Sequence, residues 1–164
     1  MAIGVRLVVA LVLALVVGSA WGQSSPPVGA ILTLLRAGGY VIVVRHGATH
    51  ADQADTDPLN LDNVAKQRQL NDKGRADAKA VGDAFKAAGV PIGKSISSRF
   101  YRAVETARLI GGKEPEPTLD VSHKPNILDA FGKDWFEIRE GEASIFKPDG
   151  KGSYTLIARV PIDQ

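Results

Sequence analysis

The stretch VIVVRHGATH, residues 41–50, runs four consecutive β-branched residues into an arginine, a histidine and a glycine. A continuous apolar, β-branched run reads as a strand buried on both faces, the pattern of a parallel sheet. Ligands of such sheets bind beyond the carboxyl ends of the strands. Arg45 and His46 therefore stand where a ligand would be met, and Gly47 would let the backbone approach it closely.

Upstream, VGAILTLLRAGG (28–39) has helical spacing at Ile31, Leu34 and Leu35 and a double-glycine stop. Downstream, residues 48–70 are polar and Asp/Asn-rich, a loop long enough to expect a function of it. NDKGRADAKAVGDAFKAAG (71–89) begins with Asn71 or Asp72 as N-cap. It sets Ala76, Ala80, Val81, Ala84, Phe85 and Ala88 on one face, predicting a helix packed on a sheet.

KSISS (94–98) reads as a second strand, FYRAVETARLIGG (100–112) as a helix and TLDVS (118–122) as a third strand. A further helix starts at Pro125. ASIFKPDGKGSYTLIARV (143–160) is a hairpin around its PDGKG turn. The alternation predicts an α/β, three-layer sandwich: a mostly parallel sheet with helices on both faces and an antiparallel C-terminal hairpin. Arg45–His46, Ser97–Ser98–Arg99 and Ser122–His123 then share one rim, at the carboxyl ends of the strands.

The first 22 residues stand apart. Arg6 precedes the apolar run LVVALVLALVV, and GSAWG follows it, the order of a secretory signal with cleavage before Gln23. Residues 23–37 would be a linker and first helix, and 38–164 one domain. The 164-residue chain has no cysteine, so an exported domain must fold without disulfides, and a periplasmic location is expected. A net charge of +2 with both signs interspersed leaves no nucleic-acid footprint. No membrane contact is expected once the signal is removed.

The rim suits phosphate chemistry. A phosphate monoester dianion calls for fixed donors, which two arginines supply in bidentate fashion. A neutral imidazole can attack phosphorus to form a phosphohistidine, a second, charged imidazole can steady the equatorial oxygens, and an acid must protonate the leaving oxygen. Arg45, His46, Arg102 and His123 fit all but the last requirement. His50 follows His46 by four residues, but on a loop rather than a helix, so no metal is expected, and no other cofactor.

VVRHGATH (43–50) resembles the Arg-His-Gly signature of the histidine phosphatase superfamily, which includes the phosphoglycerate mutases. QLNDKGRADAKAVG (69–82) is similar to the helix start that follows it there. SSRFYRAVETA (97–107) resembles the motif carrying a second phosphate arginine, and VSHKPNI (121–127) the segment with the second histidine. The resemblance implies a phosphoglycerate mutase-like fold. It also implies that His46 is the phosphorylated nucleophile, with His123 as the second catalytic histidine and Arg45, Arg102 and Gly47 binding phosphate. Arg99 would be a possible rim residue.

The chain departs from the family before the second histidine. Only 20 residues separate Arg102 from His123, where relatives carry a longer insert that often holds the acid. Asp120 falls inside the third strand, and Lys124 stands where the acid-phosphatase branch has an aspartate. The proton donor is unassigned: Asp120 and Glu142 are the candidates, with Asp52, Asp55 and Asp57 on the loop. The leading reading is an exported phosphomonoesterase acting on a small phosphorylated substrate. The alternative is a phospho-ligand-binding pseudoenzyme of the same fold. The sequence leaves the substrate and the oligomeric state open.

Overall fold

Gly38 and Gly39, at φ 69° and 74°, turn the chain out of its first helix, α1 (Val28–Leu35), and into strand β1 (Val41–Val44). Side chains resist this left-handed backbone, so the double glycine is what allows the helix to end so abruptly. The structure is a computed structural model that describes residues 26–118 and 138–161.

After β1 the loop carries a short 3-10 turn (Val64–Lys66) and leads to α2 (Asp72–Ala88). Strand β2 (Ile96–Ser98), helix α3 (Tyr101–Gly111) and strand β3 (Glu116–Thr118) follow. The chain closes with β4 (Glu142–Pro148) and β5 (Tyr154–Pro161).

The α/β class and the terminal hairpin are as expected. In the hairpin turn, Asp149 Oδ1 accepts from Lys151 N at 2.8 Å and from Ser153 N at 2.9 Å. The pairing of β1 differs from the expectation of a mostly parallel sheet. β4 lies between β1 and β5 and is antiparallel to both, with Val41 opposite Phe146 and Val44 opposite Ala143. Among the described residues the parallel pairing is β2 with β3, joined through α3. A β-branched run favours a strand but does not set its direction. β1 is also less covered than its sequence implies, with Val41 48% exposed.

One face of the antiparallel sheet carries Ile42, Ile145 and Ala158, which pack with Ile31 and Leu35 of α1, Phe85 of α2 and Val90. Phe146 and Val43 pack with Ile138 in a second cluster. Successive side chains of a strand point to opposite faces, so β1 and β4 serve both clusters.

Helix α2 is capped as read, with Asn71 Oδ1 accepting from Gly74 N at 2.8 Å. Its inward face is not the one expected. Gly74 and Ala78 are buried, with Val81, Phe85 and Ala88 partly so, whereas Ala76, Ala80 and Ala84 are exposed. The smallest residues lie inward because backbone passes close by. A Cβ on Gly82 would strike the Leu109 carbonyl oxygen of α3, and one on Gly74 would strike the backbone of Ala48. The signal segment, the end of the third strand with Asp120, the histidine at 123, Lys124, the Pro125 helix, Trp135 and Phe136 lie outside the described residues.

Candidate active site

The exit of β1 is held from three sides. Arg45 N donates to Glu142 O at 3.1 Å, and Gly141 N donates to His46 O at 2.9 Å, so the turn before β4 grips the Arg-His backbone. Gly47 N donates to Thr106 Oγ1 at 3.0 Å, and that hydroxyl donates to Arg102 O at 2.7 Å, which ties the loop to α3. From the third side comes the start of α2: a Cβ on Gly47 would lie 2.8 Å from Gly74 O. Gly47 is thus needed for close approach, here to a helix backbone.

The ring of His46 follows from this frame. Its Nδ1 lies 2.9 Å from Gly47 O. A carbonyl only accepts, so Nδ1 carries the hydrogen and Nε2 keeps a lone pair when the ring is neutral. Burial lowers the His46 pKa. The bond to Gly47 O and the charge of Glu140 oppose that shift, while the positive charges of Arg102 and Arg45 add to it. Both arginines are therefore close enough to act on the ring.

Arg45 Nη1 donates to Ile138 O at 2.6 Å, and its Nη2 lies 3.8 Å from Glu140 Oε1. Arg102 is the more enclosed arginine, its side chain 11% exposed, with its guanidinium 4.4 Å from the centre of the Phe100 ring. Its Nη1 donates to Asp55 Oδ1 at 2.9 Å, and the same oxygen accepts from Arg68 N at 2.9 Å. Burial pushes the Asp55 carboxyl up, but the bonds from Arg68 N and Arg102 outweigh it and hold it below the usual carboxylate range.

The long loop is therefore bound into the site. It also caps α3: Phe100 offers no side-chain cap, and Tyr101 N donates instead to Gln67 Oε1 at 2.7 Å.

Other residues picked out in the sequence lie elsewhere. Arg99 pairs with Asp62 at 2.9 Å on an exposed part of the loop. Glu142 Oε2 accepts from Arg139 N at 3.3 Å, closing the turn on its own exposed side. The His50 ring is half exposed, 4.0 Å from Asp52. Among the described residues, the carboxylate that reaches the His46 segment is Glu140, which the sequence reading missed. Thr49 Oγ1 donates to its Oε1 at 3.1 Å and Thr49 N to its Oε2 at 3.3 Å, and Arg68 Nη2 lies 3.9 Å away. The signal for it was the pairing of β4 with β1, which spacing along the chain does not reveal. Asp120 and the second histidine at 123 lie outside the described residues.

Residues 41–144 match the histidine phosphatase superfamily (branch 1). The chain belongs to this superfamily. Within this histidine phosphatase family, a 2,3-bisphosphoglycerate-dependent phosphoglycerate mutase from Methylocella silvestris is 30% identical over 104 residues, which are 63% of this chain and 48% of the mutase. The chain thus spans about half the length of that curated relative.

Among solved structures, the protein histidine phosphatase SixA complexed with tungstate is similar in fold. It has a TM-score of 0.55 and 17% identity, covering 75% of this chain and 97% of that one. A SixA from Agrobacterium tumefaciens has a TM-score of 0.49 and 14% identity, covering 74% of this chain and 96% of that one.

Proposed function

We propose that this histidine phosphatase family member is a phosphomonoesterase working through a phosphohistidine on His46. The observation that carries the proposal is an imidazole whose Nδ1 is committed to Gly47 O, leaving the lone pair on Nε2, in a ring that feels the charges of both Arg102 and Arg45. The lowered pKa keeps that ring neutral, hence nucleophilic, at neutral pH. Nε2 forms a bond to phosphorus as the P–O bond to the leaving group breaks, and the leaving oxygen takes a proton from water. Water then attacks phosphorus, the P–N bond electrons return to the ring, and phosphate departs. Gly47 O stabilises the charged ring of the intermediate by accepting from Nδ1. Arg45 and Arg102 hold the phosphoryl oxygens in place, and the histidine at 123 would add a further donor.

The substrate is proposed to be a small phosphate monoester, met after export by a chain from which residues 1–22 have been removed. An N-terminus at Gln23 in the exported protein would support the export reading, and an intact Met1 in a membrane fraction would refute it. Phosphoesterase activity is tested by turnover of an aryl phosphate by the mature chain. Wild type should turn over, and His46→Ala should not. Equal rates in the two would refute the reading.

The second reading, phospho-ligand binding without turnover, is favoured by the engagement of two candidate proton donors elsewhere, Asp55 by Arg102 and Arg68 N and Glu142 by Arg139 N. Phosphate raising the melting temperature without any turnover would select it.

A further inference from the structure

We propose that Glu140 is the general base of the second half-reaction, taking a proton from the water that hydrolyses the phosphohistidine. The inference rests on the phosphohistidine reading and adds a catalytic residue to it.

Glu140 is fixed against the nucleophile's own backbone. Its neighbour Gly141 donates to His46 O at 2.9 Å, and Thr49, three residues past His46, donates to both carboxylate oxygens. The carboxylate also lies 3.8 Å from Arg45 and 3.9 Å from Arg68. It therefore stands beside the arginine expected to hold the phosphoryl group, with its side chain still 29% exposed to water. Each carboxylate oxygen offers about two acceptor sites, so one remains on each oxygen after the bonds from Thr49.

Among the described residues, a second carboxylate near the arginines, Asp55, is committed to Arg102 and to Arg68 N. Glu142, the candidate from sequence, is turned onto Arg139 N. In the proposed step Glu140 accepts one water proton, and the water oxygen bonds to phosphorus. The P–Nε2 bond breaks with its electrons returning to the His46 ring. The proton then passes from Glu140 to solvent.

The test is rapid quench of the mature chain with an aryl phosphate, following aryl oxide release and the phosphate held on the protein. In Glu140→Gln, aryl release should show a burst close to one per protein at a rate within a few-fold of wild type. Steady turnover should fall about 10²-fold or more, the range of lost general base catalysis. Phosphorylated protein should accumulate. Glu140→Asp keeps the charge facing Arg45 and Arg68 but withdraws the carboxylate by one methylene, and should slow only the second step. It also serves if the Gln variant does not fold. Glu114→Gln, at an exposed ion pair with Arg108, should match wild type.

Steady turnover unchanged in both Glu140 variants would overturn the proposal. So would burst and turnover falling together, which would make Glu140 a support for Arg45. In either case wild-type turnover through His46 would leave the phosphohistidine reading standing. Turnover with no phosphate on His46 in any variant would refute that reading, and this inference with it.

Discussion

Gly74→Ala should destabilise the protein although it places a better helix former in α2. The residue lies in the first turn of the helix, where Ala for Gly would ordinarily gain up to about 1 kcal/mol. Here the added Cβ would meet the oxygen, nitrogen and carbonyl carbon of Ala48, all backbone, in the loop that also holds His46. Backbone on both sides cannot swing away as a side chain would, so overpacking should cost about 2–3 kcal/mol, the upper part of its usual range. The net loss is about 1–2 kcal/mol, or roughly 3–8 °C in Tm for a domain of this size.

Gly29→Ala makes the same chemical change in α1, with nothing within 4 Å of the new Cβ, and should raise stability by about 0.4–1 kcal/mol. Thermal melts of both variants, with and without vanadate, measure the contrast. Gly74→Ala should also lose most of the vanadate-induced shift, because Ala48 cannot move without Gly47 and His46. A Gly74→Ala protein as stable as Gly29→Ala, with its vanadate shift intact, would refute the interlocked-backbone argument.

Asp55→Asn removes the negative charge that faces Arg102 and should cost about 1–3 kcal/mol in denaturant melts. It should enlarge the phosphate-induced Tm shift, because phosphate no longer competes with a carboxylate; a smaller shift would mean that Asp55 serves chiefly to orient Arg102. The His46 ring, followed by NMR, should titrate below the ordinary value of about 6.5, and Arg102→Ala should move its midpoint upward. Because the fold disfavours the protonated ring, stability linked to His46 is full above about pH 6.5 and is lost as pH falls below it. His46→Gln should therefore flatten that part of the stability profile. Gln67→Ala removes the donor-satisfying cap of α3 and should cost about 1 kcal/mol in the same melts, within the range of lost helix caps.

Much of this architecture can be read along the chain. Asn71, the double glycine at 38–39 and the Asp149–Gly150 turn mark element ends through local backbone chemistry, and each sits where its chemistry requires. Pairing direction is a different kind of information. VIVV suits a parallel or an antiparallel partner equally well, and its antiparallel pairing with β4 depends on residues about 100 positions away. The missed Glu140 follows from the same fact, since only that pairing brings the turn before β4 against His46. The inward face of α2 was misread for a related reason. Apolar periodicity finds the greasiest stripe, whereas the contact with α3 and the Ala48 loop selects the least bulky one, Gly74, Ala78 and Gly82. Arg102 could be recognised by its motif, but the loop carboxylate that holds it could not be singled out among the several aspartates at 52–62.

The central claim is that His46 becomes covalently phosphorylated, and the chemical stability of the phosphoenzyme tests it most directly. Protein quenched during turnover of an aryl phosphate should carry a phosphate that is stable in base, labile in acid and located on His46, and His46→Ala should carry none. Turnover with an acid-stable phosphate, or with the same labile phosphate retained in His46→Ala, would contradict it.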